Sequence, residues 1–468
     1  MQISIIDGIY TDAQSDYRVD YPRNRVPVFQ PQGTSNGYLR PSEGIIQVAE
    51  TVGRDRGGIN WNDALYRVFG SFLYRVDASG ALISIGFVDD DLQNVVMDYS
   101  FDVLAICSAN KLYYFNGDIL TRNTDADLGV VKDMIWIDGY FFTTDGENLI
   151  TTQLNDINAV NPIKYGSSEV DPDPVVAVKK VRNEAYAVNR YSIEVFKNVG
   201  GTNVFPFQRI NGGQITRGAI GRDAVVVFED SLAFVGGRLN EQVAVWVGVN
   251  GVVNKISTRE IDQVINSYSI SALQNIKCET RRYNDHVFMY IHFTDQTLVY
   301  DFETSKKLQK PIWHILTSGT AEKGAYNARN IVFCYNRWYC GHATDNKLGY
   351  LTDTTQEQYG EKVTWDFSTQ FIYNASKGAI VNSLELVALT GRTEFGKDPQ
   401  IFTQYSYDGI EFSQRKYISA GKTGQRQKRI VWRKQGKMQS QRIQKFSGDS
   451  DAFLSFSRLE AELEPLAW

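Results

Sequence analysis

Four histidines, His286, His292, His314 and His342, are the side chains best placed by type for metal or acid–base chemistry near neutral pH. His286 and His292 lie six residues apart on a strand-like run, where a period of two puts them on one face. A metal pair is conceivable there, but no Cys or carboxylate stands at ligand spacing, so the histidines read as turn or surface side chains. The four cysteines, Cys107, Cys278, Cys334 and Cys340, are too few for a disulfide framework. They read as small buried hydrophobes in a protein made in a reducing compartment.

Carboxylates concentrate in two places, Asp89-Asp90-Asp91 and a segment holding Asp145, Glu147, Asp156, Glu169, Asp171 and Asp173. Paired carboxylates could hydrolyse a glycoside, but both concentrations sit in turn-like sequence and read as charged loops. The alternation of Asp with Gly and a closing Glu that calcium needs is missing. Gly-x-Ser-x-Gly, His-Glu-x-x-His, a Walker loop and a Rossmann fingerprint are all absent. The pairs Gly200-Gly201, Gly212-Gly213 and Gly236-Gly237 are expected in hairpins, without the strand–loop–helix setting of a phosphate cradle. The expectation is therefore no catalysis, no metal and no cofactor.

The most informative local feature is basic. Between Phe412 and Gly448 there is no acidic residue and eleven Lys or Arg occur. Arg426, Lys428, Arg429, Arg433, Lys434, Lys437, Arg442 and Lys445 are interleaved with Ile430, Val431, Trp432, Met438, Ile443 and Phe446. In a strand, Lys428, Ile430 and Trp432 would face one way and Arg429, Val431 and Arg433 the other. Cations split between faces argue against a dedicated DNA strip and for subunit or partner contacts. Arg429, Arg433, Lys434 and Arg442 are the interface candidates here. Tyr38, Leu39 and Arg40, just before Pro41 and Gly44, are candidates for anchoring an N-terminal arm. An acidic first half and a basic tail also suit head-to-tail subunit contacts, which close into rings.

The elements that must position these residues are strands. Helical periodicity is confined to 258–267, where Ile261, Val264 and Ile265 recur at i, i+3 and i+4 behind Thr258 as a cap. Elsewhere apolar runs of four to seven residues end in Gly, Asn, Asp or Ser. Hairpin-like packets occur at 65–76, 103–117, 134–143, 184–196, 224–235, 286–302 and 331–351. Their starts lie roughly 30 to 60 residues apart, and four-stranded propeller blades need about 40–50. An all-β fold follows: a β-propeller-like core of six or seven blades over 41–360. A β-sandwich array or a β-helix are the alternatives. After about Gly360 the strands lengthen and alternate, which predicts a separate β-sandwich over 361–468. Residues 1–40, with Pro22, Pro27 and Pro31, lack periodicity and predict an extended arm.

Composition bounds the function. The chain has 468 residues, 43% hydrophobic and 22% charged, enough for a large core and unlike a disordered chain. Lys+Arg 49 against Asp+Glu 54 gives −5, which excludes a general nucleic-acid coat with pI above ~9. No run approaches the ~20 apolar residues of a transmembrane helix, and the first residues carry no export signal pattern.

Taken in order, several stretches resemble the packaged-DNA stabilization proteins, or tail hub (tail accessory) proteins, of short-tailed bacteriophages. They are Asn36-Gly37-Tyr38-Leu39-Arg40 with Gly44-Ile45, and Ala64-Leu65-Tyr66-Arg67-Val68 with Gly70 and Leu73-Tyr74. Ser192-Ile193-Glu194-Val195-Phe196 leads to Gly200-Gly201 and to Arg217-Gly218-Ala219-Ile220. Then come 261–268, Leu298-Val299-Tyr300-Asp301, Trp313 and 317–319, and finally Lys428-Arg429-Ile430-Val431-Trp432-Arg433-Lys434 with Gly436. The likeness runs from about Gly37 to Phe446 and departs in the first 35 residues and in 355–427. It implies a structural virion protein made in the host bacterial cytoplasm. Six copies would form a ring below the portal–adaptor (head-to-tail connector) proteins, keeping packaged DNA in place. The hub would carry tailspikes or fibres and a needle or plug, with only transient, non-specific contact to double-stranded DNA. The near-neutral charge suits a conduit through which DNA passes without sticking. The rival class is a carbohydrate-active or carbohydrate-binding β-propeller, which requires convergent carboxylates in a central funnel. A trimeric tailspike-like fibre would instead need β-helix spacing.

Overall fold

A computed structural model describes residues 1–12, 16–30, 35–154, 156–200, 205–374 and 377–466; Pro31 and Gly201, singled out above, lie outside the described residues. The chain is all-β, with 53% strand and 5% helix. Seven antiparallel sheets follow one another along the chain, and their first strands touch in sequence around one axis. Those inner strands are Asp55–Trp61, Val96–Tyr99, Asp133–Ile137, Val175–Val181, Val225–Phe228, Lys277–Tyr283 and Arg329–Cys334. The last contacts the first, so the ring of blades closes. The outer strand of blade 7 comes from the start of the chain: Gly44–Glu50 pairs with Lys347–Thr352. That pairing joins distant parts of the chain and removes an open seam.

Turn chemistry sets the hairpins. Gly70 (φ +51°) and Gly139 (φ +90°) take left-handed turn conformations. Within blade 5, Gly218–Ala219 pairs with the end of Ser231–Gly237, and a Cβ on Gly236 would lie 1.9 Å from the Gly218 carbonyl oxygen. Gly236 is there for close backbone approach, and not for a hairpin turn. Apolar side chains fill the spaces between adjacent blades. Trp61, Val68, Leu104 and Phe115 pack between blades 1 and 2, and Ala233, Val245, Met289 and Ile291 between blades 5 and 6.

The helix Arg259–Asn266 forms as its periodicity predicts, with Thr258 accepting from the Ile261 amide at 3.4 Å. Two shorter helices, Ile270–Gln274 and Phe302–Leu308, lie outside any sequence expectation. Both are capped by single side chains, Ser269 and Asp301. All four cysteines are buried.

The expected N-terminal arm over 1–40 is corrected. Gln2–Ile3 pairs with Phe456–Pro465, and Arg25–Phe29 with Gly37–Pro41 extends the same sheet. That sheet also contains Ala379–Ala388 and Ile430–Arg433 and faces a second sheet of Thr364–Ser368, Gln441–Asp449, Gln400–Ser406 and Lys416–Ser419. The start of the chain is thus part of the sandwich, whose core gathers Ile3, Ile5 and Leu39 with Trp365, Phe367, Leu384, Trp432, Phe446 and Phe456. Backbone pairing with distant strands satisfies what a lone arm would leave to water.

The segment 22–25 joins the two halves. The Asn24 amide donates to the Ile315 carbonyl (2.8 Å) of blade 6, while the Arg23 amide donates to Asp366 O (2.9 Å) of the sandwich. The Asn24 side chain donates to Thr364 O (2.7 Å) and accepts from the Thr317 amide (2.9 Å). The Arg25 guanidinium is fully buried over the Trp365 ring at 4.0 Å and donates to the carbonyls of Leu454 (2.6 Å) and Ala452 (3.1 Å). Burial without a carboxylate pushes its pKa well below the ordinary guanidinium value.

Candidate functional site

Two regions gather charge: the propeller axis and the basic stretch of the sandwich. On the axis, carboxylates at or near the start of inner strands tie several blades to the next. Asp98 accepts from the Trp136 amide (2.6 Å), Asp133 from the Val178 amide (2.9 Å), and Glu279 from the amides of Asn330 (2.7 Å) and Ile331 (3.2 Å). Asp55 accepts two guanidinium bonds from Arg67 at 3.0 and 2.7 Å, both side chains being fully buried. Across the axis, Asn94 donates to Asp223 (2.8 Å), and Arg222 reaches the Asn94 carbonyl (2.7 Å). These carboxylates are committed to structural donors, and burial raises the pKa of Asp98. None stands ready as the free acid–base pair a glycosidase needs. The sequence signal was an acidic residue at or near the start of the inner strand in five of the seven blades (Asp55, Asp98, Asp133, Asp223, Glu279), which sequence reasoning passed over.

The histidines are corrected from turn or surface positions to buried ones. His286 bonds Asp301 at 2.6 Å, and His292 bonds Thr297 at 2.9 Å. Burial drives the His314 pKa down to about 3. No cluster of three or more His, Cys, Asp or Glu able to hold a metal occurs among the described residues. No helix among them is long and apolar enough to cross a membrane. Two of the acidic loop side chains are likewise occupied: Asp91 accepts from Arg56 (2.8 Å), and Asp173 accepts from the amides of Tyr191 and Ser192.

On the sandwich, the strand Ile430–Arg433 alternates as expected: Ile430 and Trp432 enter the core, and Arg433 is exposed. Lys434 begins the turn at φ +55° and is exposed. Arg429 is 73% exposed, yet it already pairs within the chain, its Nε donating to Glu385 at 2.7 Å. Arg442 is corrected as an interface candidate. It is fully buried over the Tyr405 ring at 4.7 Å and donates to Gln435 O (2.9 Å) and Gln444 Oε1 (2.6 Å). Burial lowers its pKa to about 10. Leu39 is likewise buried in the sandwich core, while Tyr38 is half-buried beside it. Arg40 bonds Asp353 at 3.0 Å, linking the Gly37–Pro41 strand to the loop after blade 7. Arg426, Lys428, Arg433 and Lys434 are exposed and form no ion pair among the described residues.

Two solved structures align loosely: the computationally designed Ika8 protein (TM-score 0.40, 9% identity, 75% of this chain and 98% of that one) and Hsv2 of Kluyveromyces lactis (TM-score 0.37, 10% identity, 71% and 95%). Both likenesses are too weak to bear on the fold. The "Tail hub protein gp10" of Salmonella phage P22 is 24% identical over 459 residues, covering 93% of this chain and 94% of that protein. The family model described as "Bacteriophage P22 Gp10, beta-propeller" matches residues 1–356, and "Bacteriophage P22 Gp10, beta-sandwich" matches 364–464. A propeller closed by Gly44–Glu50 and continued by a sandwich agrees with both, and the chain belongs to the bacteriophage P22 Gp10 family.

Proposed function

We propose that the protein is the hub of a short phage tail, a structural virion component without enzymatic activity. The observation that carries this reading is co-linear similarity to a tail hub protein across both the propeller and the sandwich. Six copies form a ring beneath the portal–adaptor proteins, hold the packaged DNA, and carry spikes or fibres and a needle or plug. The protein is made in the host bacterial cytoplasm and ends in the virion tail.

Two surfaces support ring building. The two outer strands of blade 1 expose Phe72, Ile83 and Phe87, with the Phe72 and Phe87 rings 5.9 Å apart, and Ile119 is exposed just before the outer strand of blade 2. Clustered exposed apolar side chains suit a protein contact. The sandwich offers Arg426, Lys428, Arg433 and Lys434, which form no ion pair among the described residues, to a carboxylate-bearing neighbour. Unlike patches at opposite ends of the chain fit a heterologous, ring-closing contact. The test is to mix purified protein with purified portal–adaptor complex and image the product. Six-fold density added below the adaptor is expected; no association with portal–adaptor or with tails would sink the reading.

A further inference from the structure

The inner strands of blades 1, 6 and 7 begin around one cavity of about 380 Å³ at the head of the propeller axis. Its wall carries Arg54, Lys277 and Arg329 with Asp55, Asn330 and His292. The acidic groups nearby are already engaged. Asp55 is held by Arg67 at 2.7 Å and by the Asn330 side chain at 2.5 Å. Glu279 takes two backbone amides and pairs with Lys277 at 3.2 Å. Lys277 also donates to the Asn330 side chain.

Arg54 and Arg329 are left over. Arg54 donates to the Leu92 carbonyl (2.6 Å) and Arg329 to the Phe293 carbonyl (2.9 Å), and neither forms an ion pair among the described residues. A guanidinium has five N–H donors, so one carbonyl leaves most of each fork unspent. Burial pulls the Arg329 pKa down to about 10, with Glu279 opposing the fall and Arg54 adding to it. The His292 side chain is fully buried; its Nε2 makes no hydrogen bond, the nearest carboxylate oxygen being on Glu279 at 3.5 Å. Arg54 is exposed at the rim and Arg329 half-buried, with Glu279 acting on Arg329 but not bonded to it, so both forks keep N–H donors free for an anion in this partly enclosed space.

We propose that this cavity is a binding site for a dianionic oxyanion group held between Arg54 and Arg329. Two unpaired guanidiniums call for two negative charges, and paired N–H donors match oxyanion geometry. The volume lies in the range of small-ligand pockets and is too small for duplex DNA. The dianion is either free phosphate or a pair of adjacent carboxylates presented by a polypeptide. The site stands independently of the hub reading.

Calorimetric titration of the full chain in chloride buffer tests it, with inorganic phosphate in one arm and an acetylated, amidated Glu-Glu dipeptide in the other. Saturable binding at one site per chain is expected in at least one arm; the tighter arm identifies the source. Arg329→Gln and Arg54→Gln should each weaken binding at least tenfold, while Arg122→Gln, on the outer strand of blade 2, should not. Arg54 is exposed, so Arg54→Gln remains a test if Arg329→Gln does not fold. No saturable binding in either arm, or wild-type affinity in a folded Arg54→Gln variant, overturns the proposal.

Discussion

The propeller axis and the sandwich basic stretch both hold many charges and use them in opposite ways. On the axis, Asp55 meets Arg67, Asp133 meets the Val178 amide, and Glu279 meets two amides of the next blade. The donors are backbone groups or buried partners, so the charges form the frame. On the sandwich, Arg426, Lys428, Arg433 and Lys434 project into water without an ion-pair partner among the described residues. Charges that a fold has already satisfied hold it together; exposed, unmatched ones are free to meet another molecule. The axis can therefore be damaged by removing a charge, and the sandwich surface by reversing one.

The largest expected effect is at Asp55. Asp55→Ala leaves Arg67 buried without its carboxylate and should cost ~3–5 kcal/mol, measured as a shift in denaturant midpoint. A loss under ~1 kcal/mol would mean that water or Asn330 replaces the carboxylate. Next is the seam between the halves. Asn24→Ala removes bonds to Thr364 and Thr317 and should cost ~1–3 kcal/mol. Calorimetry should then show the unfolding of propeller and sandwich drifting apart; one unchanged transition would show that 22–25 does not couple them.

Residues 1–40 look like an arm in sequence because extended, proline-bearing sequence is alike whether it pairs with water or with a strand at the far end of the chain. Gln2–Ile3 lies against 459–460, and nothing local in the sequence announces that. The blades were legible because each is built from neighbours in sequence, with turns such as Gly70-Ser71 marking the hairpins. Gly44–Glu50 was the exception, since closing blade 7 is again a long-range pairing. At the candidate site, strand alternation placed Ile430 and Trp432 on one face and Arg433 on the other, which the strand Ile430–Arg433 shows. Lys428, grouped with the first two, lies before the strand and is exposed. Alternation could not tell that Arg442, on the other sheet, points into the sandwich, because a long basic side chain can bury its stem and charge over an aromatic ring.

A smaller, pH-dependent effect belongs to His314. Its folded pKa of about 3 lies below the ordinary histidine value of 6.5, so the unfolded chain binds the proton more readily. The stabilisation is complete above about pH 6.5 and is lost as pH falls toward 3, at up to ~1.4 kcal/mol per pH unit. A folded His314→Phe variant should show a flatter stability profile between pH 6 and 4 (roughly the window set by that shift). An unchanged slope would mean that His314 is not the group titrating. The smallest effect on stability is expected on the sandwich surface. Arg429→Glu with Arg433→Glu breaks one surface ion pair, Arg429 with Glu385, and should lower stability only slightly, read as a small shift in denaturation midpoint. The same pair should yield particles that fail to complete their tails. Normal tails with altered DNA retention would transfer these residues from partner contact to the channel wall.

The central claim is that this propeller–sandwich chain is the hub of a short tail, and an asymmetric electron-microscopic reconstruction of intact particles tests it most directly. The account predicts six copies in a closed ring below the portal–adaptor, unlike faces meeting at each joint. Three or twelve copies, or a tail in which this chain is missing, would contradict it.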